Sequence, residues 1–139
     1  MCFFCFALLF ACSKSPGSEL ELLEKAASRG DVQAQSNLGD IYRLGEVVAM
    51  DDAKAFEWYQ KAAVQGHALA QEHLGKRYAD GRSVRKDDIQ AFVWLDLAAA
   101  QGSSKAVTAR AVVEMRLTPE QKTQAQKLVS ELLAKMPKK

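Results

Sequence analysis

Imidazoles and thiols are the side chains that most readily bind a metal or attack a carbonyl. The chain holds two histidines, His67 and His73, and three cysteines, Cys2, Cys5 and Cys12. The histidines stand six positions apart, one in a turn and the other on a helix, which is not the one-face spacing of a helical metal site. No cysteine joins them. His67 is therefore expected to be a solvated turn residue and His73 a helix-surface residue, and no metal, cofactor or catalytic residue is expected. The acidic pairs Asp51-Asp52 and Asp87-Asp88 have the chemistry of a general acid and base or of a divalent-cation site. Both pairs stand where a helix begins, so capping is their expected duty. Trp58 and Trp94 hold equivalent apolar positions and are expected to pack in a core rather than stack on a ligand. No Gly-rich phosphate loop follows a strand pattern, and no Gly-x-Ser-x-Gly string is present. A hydrolase is accordingly the weakest functional reading, since no nucleophile and base converge.

The elements that position these residues follow from a repeat. Laying residues 34–69 on 70–105 gives sixteen identities in 36 positions, among them Leu38/Leu74, Gly39/Gly75, Tyr42/Tyr78, Gly45/Gly81, Asp51/Asp87, Trp58/Trp94 and Gln65/Gln101. A fixed period of this size marks a solenoid, in which each unit covers its neighbour's apolar face. Within one period, Ala34, Leu38 and Tyr42 recur at intervals of four and define one face of a first helix, which Gly45 ends. Ala55, Phe56, Trp58, Tyr59, Ala62 and Ala63 form the stripe of a second, closed by Gly66. Gly39 and Gly75, inside helices, imply close approach of a neighbour. Residues 18–33 read as a half-repeat contributing a lone second helix, and 106–116 as another half-repeat. Thr118-Pro119-Glu120-Gln121 is a capping box opening a terminal helix over 119–135. The fold is predicted to be all-α, with seven helices in a single domain over 18–135.

The string AxxxLGxxYxxGxxVxxDDxxAFxWxxxAAxQG, present twice, resembles the Sel1-like repeat, a relative of the tetratricopeptide repeat. The resemblance implies a short α-solenoid of helical hairpins, an alpha-alpha superhelix with a C-terminal capping helix. Members of that family are mostly adaptors that hold other proteins in assemblies, which implies a non-catalytic module binding a protein or peptide. In the related tetratricopeptide arrangement the first helices line a concave groove. Mapped from the Leu-Gly pairs, its residues here are Gln33, Ser36, Asp40, Arg43, Glu72, Lys76, Asp80, Lys105 and Thr108, a set of mixed charge suited to charge-assisted bonds. A cysteine-rich subgroup is associated with binding penicillin-like compounds, but its paired repeat cysteines are missing here. A beta-lactamase-like role therefore does not carry over.

Residues 2–11, CFFCFALLFA, are an uncharged apolar run. As a helix such a run spans roughly 15 Å, too short for a bilayer and suited to a signal-peptide core. Leu9-Phe10-Ala11-Cys12 resembles a bacterial lipobox, with Phe10 bulkier than the usual residue. The resemblance implies a signal peptide over 1–11, and a lipidated Cys12 opening a linker over 12–17. Several acyl chains on one residue satisfy the requirement for stable anchoring. Ser13 after the cysteine implies an outer-membrane address facing the periplasm. Cleavage before Cys12 leaves one sulfur, consumed by lipid, so no disulfide is expected. Nineteen Lys and Arg against 17 Asp and Glu give a net charge of +2, too little to argue for a nucleic-acid partner. The chain is expected to act as a monomer. An inhibitory role, such as immunity against an envelope-targeting toxin, is the alternative within the binding class.

Overall fold

The computed structural model describes residues 16–138. The signal peptide expected over 1–11, Cys12 and the linker as far as residue 15 lie outside the described residues. The described residues form seven α-helices: α1 (Pro16–Ser28), α2 (Val32–Leu44), α3 (Asp52–Val64), α4 (Ala68–Asp80), α5 (Asp88–Ala100), α6 (Ser104–Glu114) and α7 (Pro119–Lys135). No strand occurs among the described residues.

Identical residues build identical turns. Gly45 and Gly81 end α2 and α4 at φ 70° and 69°, a left-handed conformation that side chains disfavour. Each glycine N–H donates to a carbonyl four residues back, Ile41 and Arg77 respectively. The chain then returns on itself, with Asp51 N–H donating to Tyr42 O at 2.9 Å and Asp87 N–H to Tyr78 O at 3.0 Å. The two acids of each pair divide the labour. Asp51 and Asp87 accept from the N–H groups of Lys54 and Gln90 as N-caps. Asp52, inside the first turn, holds Arg77 and Arg82, and Asp88 lies 3.3 Å from Arg116. The capping box is complete, with the side chains of Thr118 and Gln121 each accepting from the other's backbone.

Helices α1 to α6 pack in succession, the first helices α2, α4 and α6 also touch, and α7 returns onto α5. Small residues make this packing tight: Ala55, Ala62, Ala63, Ala70, Ala91 and Ala98 are fully buried, together with Leu38, Tyr59, Leu74 and Leu95. A Cβ placed on Gly39 would meet the Tyr59 ring, and one on Gly75 would meet Leu95. Tyr59 and Leu95 are themselves 36 positions apart, so the same contact recurs with a ring in one repeat and an aliphatic branch in the next.

The two tryptophans differ from the expectation of equal core positions. Trp94 is buried in the main cluster, which also takes in Ala125 and Val129 of α7. Trp58 is half-buried against the smaller cluster of Ala27, Ala34 and Leu38, with Lys61 Nζ 4.0 Å above its ring. Their inner contacts correspond, because Ala63, Ala70 and Leu74 stand 36 positions after Ala27, Ala34 and Leu38. The outer cover does not, since α7 packs on α5 and, among the described residues, nothing comparable packs on α3. Past the end of α7, Met136 packs against the core.

Candidate functional site: the first-helix face

Because α2, α4 and α6 lie side by side, their outward positions form one continuous face. The expected residues divide into three groups on it. Gln33, Asp80, Lys105 and Thr108 are exposed. Gln33 donates to Asn37 at 2.9 Å and has His67 Nε2 3.3 Å from its Oε1, while Thr108 Oγ1 donates to Ser104 O at 3.2 Å.

Asp40, Arg43 and Lys76 are partly exposed and already engaged. Asp40 Oδ1 accepts from Tyr59 Oη at 2.7 Å and from Arg43 Nη2 at 3.0 Å. Arg43 Nε also donates to Tyr59 Oη, at 3.1 Å. Lys76 pairs with Glu72, whose second oxygen accepts from Ser103 Oγ at 2.7 Å. Ser36 and Glu72 correct the expectation of open groove positions, with exposures of 1% and 5%. They are repeat equivalents, and Glu72 shows the physical reason: the position points into the junction with the next hairpin, where Ser103 begins α6.

The expectation for His73 is also corrected, while His67 stays in its turn, partly exposed. His67 is the half-buried N-cap of α4, its Nδ1 accepting from Ala70 N–H at 3.3 Å. His73 is not on the helix surface but stacks on Tyr59, with ring centroids 4.6 Å apart and planes at 23°. Its Nε2 stands 3.8 Å from Asp40 Oδ1. A tyrosine, a histidine, a carboxylate and a guanidinium thus meet between α2, α3 and α4, which the sequence reading did not foresee. Burial first, and then the bond to Asp40, raise the Tyr59 phenol well above its usual value, so it stays protonated. Such a cluster fixes one hairpin against the next. Its signal was a fully buried Tyr59, whose hydroxyl must find a partner.

Burial is the largest influence on His73 and holds its imidazole below the ordinary 6.5; Asp40 and Glu72 oppose this, while Arg43 and Lys76 add to it. A group depressed by folding contributes stability above its unfolded value and loses it as pH falls through the folded one. Acidification from about pH 7 to 5 is therefore expected to weaken the fold, and His73→Phe, which keeps the stack, to reduce that loss. Urea melts across this range test it; an undiminished loss in the variant refutes the assignment. For Glu72, burial alone would raise the carboxyl, but Lys76 and Ser103 outweigh it and hold it below 4.5. Its contribution disappears only in more acid solution.

A second missed feature is a glutamine relay. Gln65 Nε2 donates to Gln35 Oε1 and to Gly30 O, and Gln101 Nε2 repeats this on Gln71 and Gly66. Gln35 and Gln71 in turn donate to Ala27 O and Ala63 O. Recurrence of both glutamines in the repeat was the available signal. Among the described residues no group of three or more His, Cys, Asp or Glu is arranged to hold a metal, and no helix is long and apolar enough to cross a membrane.

The profile of the Sel1 repeat matches residues 20–31, 32–67 and 68–103. The structure is similar to the crystal structure of a protective antigen present in uropathogenic Escherichia coli strains, which displays an SLR fold. Sequence identity is 35% and the TM-score 0.78, over 85% of this chain and 26% of that one. It is also similar to a Sel1 repeat protein from Oxalobacter formigenes, at 32% identity and a TM-score of 0.65, over 67% of this chain and 38% of that one. The match thus spans well under half the length of either. No curated protein matches.

Proposed function

The chain belongs to the Sel1 repeat family, and from that premise we propose that it is a non-catalytic interaction module that docks a protein or peptide on the face of α2, α4 and α6. One observation carries this reading: contacts of His73 with Asp40 and Tyr59, and the bond from Ser103 to Glu72, tie each hairpin to the next and set the spacing of the three first helices, while Gln33, Asp80, Lys105 and Thr108 stay open to solvent. A pre-set row of unlike polar groups recognises a partner at little ordering cost. The module is anchored to the bacterial envelope through acylated Cys12 and faces the periplasm from the outer membrane, a reading supported by the lipobox-like Leu9-Phe10-Ala11-Cys12.

Affinity purification from detergent-solubilised envelopes tests the docking face. A protein enriched over an unrelated Cys12-anchored domain, and lost with Asp80→Lys plus Lys105→Glu at unchanged melting temperature, is the expected result. Repeated absence of any enriched protein counts against it. Intact mass measurement of the membrane-extracted protein is expected to find cleavage before Cys12 with acyl mass added, and Cys12→Ala to leave the membrane fraction. An unmodified amino terminus would sink the anchor.

A further inference from the structure

Between α1 and α2 lies an open cleft of about 660 Å³, lined by Leu20, Leu22, Leu23, Ala26, Ile41 and Val47. Leu22 and Val47 are 56% and 53% exposed, unusual for aliphatic side chains flanking one groove. The repeat identifies the kind of object that fits there. Leu23, Asn37 and Ile41 of the cleft stand 36 positions before Tyr59, His73 and Arg77. Tyr59 and His73 border the place where α2 seats against α3 and α4, with Arg77 over the Tyr59 ring: Gly39 abuts that ring, and Asp40 meets Tyr59 and His73. One step along, Gly75 of α4 abuts Leu95. The cleft therefore has the form of a seat for one more first-type helix.

Its chemistry differs from that of the inner seats. Leucine and isoleucine replace the tyrosine and arginine, and Asn37, which accepts from Gln33, replaces the histidine, so the seat takes a mainly apolar stripe instead of a charged cluster. Of the charged residues that line it, Asp40 is already paired with Arg43 and Tyr59, and exposed Glu19 supplies the acidic group at its rim. Residues 1–8 of this chain stand 36 positions ahead of 37–44, but Phe3 holds the place of Gly39. The sequence thus lacks the small residue at that repeat position.

We propose that this cleft docks a single amphipathic helix of a partner protein, with a small residue facing Leu23 and basic residues on its flank, seated as α2 is on α3. Leu22 and Val47 are not on the face of α2, α4 and α6, so this site and the docking face proposed above stand or fall separately.

A helix-stapled, fluorescent peptide with the sequence of residues 68–80 is a suitable probe, since it carries Leu74-Gly75 and the basic pair Lys76-Arg77. Titrated against the full chain in lipid nanodiscs, it is expected to bind saturably and more weakly as salt is added. Leu22→Glu or Val47→Glu in the protein, or Gly75→Phe in the peptide, is expected to weaken binding by about tenfold or more. Both protein positions are exposed, so the variants should melt like the parent. Absence of saturable binding overturns the proposal, as does binding indifferent to Leu22→Glu and Val47→Glu. Binding seen with the processed chain but absent from the unprocessed chain, which keeps residues 1–11, makes that segment the occupant and overturns it too. Self-association of the chain abolished by the same substitutions assigns the cleft to a second copy, with the same consequence.

Discussion

Trp94→Ala is expected to cost about 3–5 kcal/mol, and Trp58→Ala about half as much or less, although the two residues share one repeat position. The larger value follows from burial: Trp94 is 5% exposed and belongs to the cluster that includes Leu74, Val113 and α7 residues Ala125 and Val129. Removing the indole leaves a cavity bordered by several helices, and close-packed walls collapse only partly. Trp58 keeps one side open, and part of what it loses is its contact with Lys61, of the order of 1 kcal/mol at such a site. Folding stability of a domain this size is about 5–15 kcal/mol, so the first substitution removes a large share and the second a modest one. Urea melts of both variants decide the matter. Equal losses would mean that α7 does not shield α5.

The same pair of residues marks how far sequence reading reaches. Period, helix order, turn glycines and N-cap acids were all legible, because each is fixed by local chemistry or by identity at a spacing of 36. Cover contributed by an element outside the repeat was not, since α7 has no counterpart that self-comparison can find. The first-helix face was legible as a set of polar positions but not as a set of partners. Ser36 and Glu72 look exposed when a helix is considered alone and are buried once the next hairpin is laid beside it. Tyr59 and His73 fell among apolar-stripe and surface assignments respectively, yet they meet because α3 and α4 belong to successive repeats. Pairing across hairpins depends on the angle between helices, which periodicity alone does not contain. The glutamine relay differs, because both of its members recur and a buried amide demands partners.

The helix-interior glycines supply the second large effect. On propensity alone, Gly75→Ala would stabilise α4 by about 1 kcal/mol. The added Cβ, however, would lie 2.5 Å from Leu95 Cγ and 3.1 Å from the Leu95 backbone nitrogen. A branch carbon next to a fixed backbone cannot swing aside, so α4 and α5 must separate. At Gly39 the obstacle is the Tyr59 ring, at 2.6 Å. That ring is held by its bonds to Asp40 and Arg43 and by the stack on His73, so it cannot rotate away. Overpacking of this kind costs about 1–3 kcal/mol, which outweighs the propensity gain, and a valine at either position should reach or exceed the upper figure. The two sites differ in how they can be rescued. Leu95→Ala makes room for a methyl group at position 75, so the double variant Gly75→Ala with Leu95→Ala should be more stable than the sum of the single losses requires. Tyr59→Ala likewise makes room at position 39, but it also strips Asp40 and Arg43 of the hydroxyl they share, so the double variant there stays further below the parent. A double-mutant cycle at each position, read by urea melts, is expected to show favourable coupling at both, since each second substitution removes the obstacle, with the double variant nearer the parent at 75 than at 39. A neutral Gly75→Ala would mean that the two helices stand further apart than described, and the seat inferred beside α1 would lose its template.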